Sequence, residues 1–372
     1  MTIEDTLAKL ITFKTVSEDQ AASKVALAWV KQQLKGLPLY LTDFEDGGFP
    51  ALIITTQPTK SPRVWLQAHL DVVPGPDELF LPRTEGGKLV GRGAYDMKFA
   101  LACYLQLFQT LGDRLTRYDF GVMITTDEEL GGRHGAKAIL GQGWRGETVV
   151  IPDSGEDWSF EVTAKGVLQL EVVSRGLAAH GSKPWEGQSA ASRLVRFLGA
   201  LEACFPPEPC GDLDHCHNSL TIGRLEGGEV VNQIMDKALA WLDIRLLPGT
   251  SKAEMEQLLR QVESETNAVE MREINYDSSY RVDTSNRYWQ SFKRITEDHL
   301  KAEIVTTNSH GSTDARFFIE RGIPAIVTRP RGGGHHSDHE WVDRSDLATF
   351  YRILEAFVQK TAVRRRQISR LT

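Results

Sequence analysis

Two adjacent acids, Glu128 and Glu129, follow the apolar run Phe120-Gly121-Val122-Met123-Ile124 and precede Leu130-Gly131-Gly132. The run reads as a buried strand, and strand ends are where open α/β sheets keep their ligand sites. Adjacent side chains on such a turn point in different directions, so one carboxylate can bind a metal while the other carries a proton. Taken alone, the stretch reads sooner as a solvated acidic turn with a glycine stop, because surface acids are common.

Its companions fall at other strand ends. His69-Leu70-Asp71 follows the apolar Val64 to Ala68, and in an extended His-x-Asp the two side chains share a face. The carboxylate can then hold the ring nitrogen that does not bind metal. Asp96 stands where a mostly apolar helical stretch, Met97 to Leu111, begins. Asp153 ends the run Thr148 to Ile151, with Glu156 three residues on. Gly332 to Glu340 brings His335, His336 and His339 to a glycine-rich loop after Ala325 to Thr328. Two histidines and three or four acids form a mixed nitrogen and oxygen set suited to zinc, manganese or cobalt. Two metals sharing one carboxylate would explain why the set exceeds the four ligands of one zinc.

The elements that position these residues follow from periodicity. Helical patterns cover Ile3 to Phe13 and Ala21 to Leu34, and apolar strand-like runs alternate with helices up to Ile151. That order predicts a mainly parallel α/β sheet. Past Gly166 the pattern changes to a strand (Val167 to Val173), a helix (Ser189 to Ala203), two strands (Ser219 to Leu225, Ala238 to Leu246), a helix (Lys252 to Ser264) and a strand (Ala268 to Tyr276). This is the β-α-β-β-α-β plan of a ferredoxin-like α+β domain. A helix from Tyr288 to Leu300 and the strand at Ala325 then resume the first style. The expected organisation is a catalytic domain, 1–165 and 279–372, interrupted by an inserted domain, 166–278.

Composition limits the function classes. The chain has 372 residues, 41% apolar and 25% charged, with a net charge of -7. This is a globular balance, and its sign argues against a general nucleic-acid or anionic-membrane binder. No run reaches the roughly 18 apolar residues of a membrane span, and the first residues lack a secretion signal, so a cytoplasmic protein is expected. Cys210 and Cys216, beside His215 and His217, resemble half of a zinc-finger cluster, but no second pair completes it. The basic Arg364-Arg365-Arg366 reads as a solvated helix end.

Together the motifs resemble the M20 family of dinuclear metallohydrolases, which includes succinyl-diaminopimelate desuccinylases, acetylornithine deacetylases, carboxypeptidases and dipeptidases. The resemblance runs from His69 to Trp341 and rests on five ordered motifs plus the inserted domain. It implies that Asp96 bridges two divalent ions, zinc first, with cobalt or manganese as alternatives. His69 and Asp153 would complete one set, Glu129 and His336 the other. Glu128 would be the general base for attack by a metal-bound hydroxide, and Asp71 would orient His69. The resemblance also implies a cis peptide between Asp96 and Met97. In the inserted domain, His180 of Gly176 to Pro184 would donate to the oxyanion, and in the family this histidine can reach a neighbouring subunit, hence a homodimer. Asn232, Arg245 and the Gly311-Ser312-Thr313 loop would contact the substrate.

Three positions depart from the pattern. Asp153 stands where many relatives carry Glu, with Glu156 the fallback ligand. His335 competes with His336, although the spacing to Glu340 favours His336, and His339 replaces a frequent Asn. The expected activity is hydrolysis of an amide bond next to a free carboxylate, in an N-acyl amino acid or a short peptide. The second class is a non-catalytic, metal-dependent peptide-binding protein on the same scaffold, which would have lost the base or a ligand.

Overall fold

The computed structural model describes residues 1–205, 217–266 and 269–364. Cys210, His215 and Cys216, Ala268, and Arg365 and Arg366 lie outside the described residues. The chain divides into two compact units, Met1–Val162 with Val282–Thr307 and Thr313–Thr372, and Thr163–Arg281 with Asn308–Ser312. Placing Asn308 to Ser312 with the second unit departs from the boundary expected at 279. The reason is local: Thr163 Oγ1 donates to Asn308 Oδ1, and the Lys165 N–H donates to the Ser309 carbonyl at 3.1 Å.

Four apolar runs form the centre of the first unit's sheet. Phe120–Thr125, Val64–His69, Thr148–Ile151 and Ala325–Val327 lie side by side in that order, all parallel. Each is buried along its whole length, as strands covered on both faces must be. Their register aligns His69 with Thr125 and Val327 with Ile151. The loops that follow therefore leave from one edge of the sheet. Antiparallel strands flank this centre, Phe49–Thr55 and then Tyr40–Asp46 on one side, Phe160–Ala164 on the other. The Tyr40–Asp46 strand was not expected, because its acids alternate on an exposed edge without an apolar face.

Packing fixes the sheet tightly at Gly121. A Cβ there would lie 2.4 Å from the buried Trp65 ring on the neighbouring strand. The Lys98–Leu111 helix is buried nearly all round, which explains its uniformly apolar sequence. Phe99 on it meets Phe350 of the Arg344–Thr361 helix at 5.4 Å between ring centres. A small antiparallel sheet joins Arg83–Glu85, Lys88–Val90, Trp341–Asp343 and Gly332–Gly333. It ties the segment before Asp96 to the segment around His336.

The second unit has a four-stranded antiparallel sheet in the order Ser219–Gly227, Lys237–Leu246, Gly166–Arg175, Glu270–Asp277. Leu168, Leu170 and Val172 alternate with half-buried Gln169 and Glu171, and Ala240, Leu242 and Ile244 with half-buried Trp241 and Asp243. One face is thus apolar. The helices Ala190–Glu202 and Lys252–Thr266 cover it with Phe197, Leu201, Leu259 and Val262. This is the split βαβ plan expected from periodicity. No helix among the described residues is long and apolar enough to cross a membrane.

Gly121→Ala is expected to destabilise the protein by about 1–3 kcal/mol through overpacking against Trp65. Gly141→Ala, where a Cβ meets nothing within 4 Å, serves as the control and should be close to neutral. Urea unfolding of both variants checks the difference.

Candidate metal centre

Every residue of the centre leaves the first unit's sheet edge or the loops beside it. His69 is the last residue of its strand and fully buried. Its Nε2 lies 3.2 Å from Asp96 Oδ1 and 3.5 Å from Asp153 Oδ1. His336 Nε2 lies 3.2 Å from Asp96 Oδ2 and 3.0 Å from Glu129 Oε2. Two groups result, His69-Asp96-Asp153 and Asp96-Glu129-His336, each with its ligand atoms within 4.8 Å of one another. Asp96 belongs to both, offering one oxygen to each side. The Asp96–Met97 peptide is cis.

Three buried carboxylates this close repel one another and lose hydration, a cost that is met by pairing or by coordination to a cation. The two histidines are neutral-ligand donors of the kind zinc, cobalt or manganese accepts beside carboxylate oxygen. The donor set therefore fits two divalent ions sharing Asp96. Burial works against a charged His69, yet hydrogen bonds with Asp153, Asp71 and Asp96 hold its pKa well above the ordinary value. Hydrogen bonds with Asp96 and Glu129 raise His336 to about 10. Burial lifts Asp153 to about 6.

Asp71 touches both His69 and the acidic turn. The His69 Nδ1 is closest to the Asp71 backbone carbonyl, 3.0 Å, with the carboxylate at 3.5 Å. That carboxylate accepts from the backbone N–H of Glu128 (3.3 Å) and Glu129 (3.1 Å) and from Ser17 Oγ (2.8 Å). One buried acid thus fixes the histidine and the acidic turn together. Glu128 belongs to neither ligand group. Burial and the charge of Asp153 push its carboxyl well above the usual range.

His335 and Glu156 stand apart from the ligand groups. The His335 Nδ1 lies 3.8 Å from Glu156 Oε1, and its ring tilts against Tyr95 at 6.3 Å. His336 adopts a left-handed φ of 61°. His339 is exposed, and its N–H donates to Ser337 Oγ at 3.2 Å. In the second unit, the Gly181 N–H donates to the Asn232 carbonyl at 2.7 Å, and His180 bridges to Gln233. Arg245 pairs with Asp243 at 2.7 Å. Gly311 and Ser312 lie in that unit as well, whereas Thr313, buried, belongs to the first.

Sequence reasoning treated Glu340 only as a spacing mark. In the structure its buried carboxylate accepts from the backbone N–H of Gly93 (2.9 Å), Tyr95 (2.9 Å) and Asp96 (3.0 Å). Arg92 Nη1 donates to it at 3.0 Å and to the Ser337 carbonyl at the same distance. The Asp96 loop is thereby locked to the His336 loop. Gly332 lets the loops meet, since a Cβ there would lie 2.1 Å from the Tyr95 ring.

The family model for peptidase family M20/M25/M40 matches residues 65–360, most of the chain and all of this centre. The chain belongs to peptidase family M20/M25/M40. Membership makes it a metal-dependent hydrolase. It is 22% identical over 383 residues to a succinyl-diaminopimelate desuccinylase of Sulfurovum sp. (strain NBC37-1), covering 96% of this chain and 99% of that one. Its fold matches the M20 family metallo-carboxypeptidase Sso-CP2 from Sulfolobus solfataricus with a TM-score of 0.77, at 16% identity over 96% of this chain and 99% of that one. The YXEP protein of Bacillus subtilis, a dinuclear metal-binding M20 peptidase, matches with a TM-score of 0.71, at 15% identity over 96% of both chains.

Glu340→Ala would strand Arg92 and three backbone donors, so a loss of about 3–5 kcal/mol in stability is expected, together with weaker ion retention. Urea unfolding and metal analysis read the two effects separately. Divalent ions bound by these groups would compete with protons for the Nε2 atoms of His69 and His336, whose pKa values are raised. Ion binding at pH 7 should therefore release protons, measured by calorimetric titration in buffers of different ionisation enthalpy.

Proposed function

We propose that this M20 enzyme hydrolyses an amide bond next to a free carboxylate, in an N-acyl amino acid or a short peptide. The observation that supports it is the pair of ligand groups sharing Asp96 with Glu128 left outside both. His69, Asp96 and Asp153 would hold one ion, and Asp96, Glu129 and His336 the other. Two divalent ions, zinc in the first instance, would polarise the scissile carbonyl and acidify a water. Glu128 takes the proton of the attacking water and hands it to the leaving nitrogen. A raised pKa favours the first of these transfers, onto Glu128. Asp71 keeps Glu128 and Glu129 in register by holding both of their backbone N–H groups.

Recognition of the substrate is assigned to the second unit and the loop beside it. His180 is the proposed oxyanion donor. Asn232, Arg245, Gly311, Ser312 and Thr313 are proposed to hold the substrate, Arg245 by the bidentate fit of a guanidinium to a carboxylate. A homodimer, a lid or dimerisation role for the inserted unit and a cytoplasmic setting belong to the same reading. The two kinds of named relative, desuccinylase and carboxypeptidase, share this chemistry and differ in what lies on either side of the amide. A non-catalytic binding role would require a missing base or ligand, and the sequence carries a residue for each expected one.

The experiment is an assay of the zinc-loaded protein against succinylated and acetylated amino acids, dipeptides and tripeptides. No turnover on any of them would refute the reading. On the best substrate, Glu128→Gln should lower kcat by about 10²-fold or more while retaining both ions. Glu129→Ala should lose one ion, and Asp96→Ala should weaken both. Two ions retained at full affinity in Asp96→Ala would remove the shared-ligand assignment.

A further inference from the structure

A buried arginine beside the centre has no part in the mechanism above. Arg329 follows the Ala325–Val327 strand by two residues, and its side chain is 4% exposed. Its guanidinium stacks on the ring of Tyr95, the residue before Asp96, at 4.0 Å. Its backbone N–H donates to the carbonyl of Gly155, two residues after Asp153, at 3.2 Å. Nη2 donates to Glu156 Oε1 at 3.2 Å, but the Glu156 side chain is 62% exposed. Among the described residues, Nε and Nη1 have no hydrogen-bond partner.

A buried arginine kept for structure has its N–H groups paired. This one has a single acid partner, and that partner's charge is weakened by water. What Arg329 supplies is therefore charge rather than a hydrogen-bond network. Burial works against that charge, yet Tyr95, Asp96, Asp153 and Glu156 hold its pKa above the ordinary value. Two of those four are proposed metal ligands.

We infer that Arg329 is a fixed positive charge beside the two ligand groups that weakens ion binding and draws the anionic end of the substrate toward the centre. Two divalent ions against three ligating acids would leave one net positive charge, and Arg329, stacked on the residue before Asp96 and bonded to the backbone two residues after Asp153, adds another. Like charges repel, so ion affinity is reduced. An approaching carboxylate and the oxyanion formed from the amide gain by the same amount of field. The second half of the inference rests on the proposed hydrolysis; the first half does not.

The sign of the effect separates this role from a structural one. In the full-length protein, Arg329→Gln should bind zinc more tightly, by about tenfold or more, in competition with a chromophoric chelator. Its KM for a carboxylate-bearing substrate should rise. Arg329→Lys, which keeps the charge without the fork, should stay within about threefold of the parent in zinc affinity. Weaker or unchanged zinc binding in Arg329→Gln would overturn the inference and make Arg329 a positioning residue for Asp96 and Asp153. If Arg329→Gln does not fold, Arg329→Lys decides: retained affinity supports the charge role, and a tenfold change in either direction overturns it. If no amide is hydrolysed by the parent protein, the proposed reaction fails while the zinc titration still tests Arg329.

Discussion

The Glu340 carboxylate is the interaction on which the centre depends. Its two oxygens hold the backbone of Gly93, Tyr95 and Asp96 and pair with Arg92, while Arg92 also holds Ser337. Backbone donors converging on one buried carboxylate form a rigid cradle, because each bond is charge-assisted and sheltered from water. The acid that both ligand groups share is therefore set by main-chain geometry, not by its own flexible torsions. Two residues beyond Asp96, Lys98 ties the start of its helix to the end of the first one, its Nζ donating to the carbonyls of Leu10 and Phe13. Burial brings that lysine down to about 7.

The sheet explains how like charges come to converge. Four parallel strands end along one edge, and each contributes its next few residues to the same small volume. Parallel strands need crossover helices, which bury both faces and leave the strand ends as the place where polar chemistry can concentrate. Asp71 uses this arrangement to join two neighbouring strand ends, His69 on one and the Glu128-Glu129 turn on the other. Two acids adjacent in sequence, one inside a ligand group and one outside both, are thus held by a single carboxylate contributed from the next strand.

Much of this was legible in the sequence because the signals are local. His69, Glu129 and Asp153 each follow an apolar run, and the runs are buried strands, while Asp96 stands at the start of an apolar helix. The inserted unit was legible for a different reason: its strands alternate with period two and its helices carry one apolar face. The missed features are long-range or lack a pattern. Glu340 lies 244 positions from Asp96, so nothing near either residue announces their bond. Arg329 looks like one more surface cation in an Arg-Pro-Arg stretch until the fold places it on Tyr95. The Tyr40–Asp46 strand has no buried face to give it a pattern, and Asn308 to Ser312 changed units through two hydrogen bonds that composition does not encode.

The two histidines that flank Asp96 differ in one respect with kinetic weight. His69 has no solvent exposure, whereas the His336 side chain is half exposed, on a loop that leaves the sheet. Water and competing ligands therefore reach the His336 side first. An ion held there would exchange faster than one held by His69, even where the two bound with equal strength. Because Asp96 lies against both histidines, one oxygen toward each, a change on the exposed side would be felt on the buried one. The shared carboxylate would thereby couple the two positions in time as well as in space.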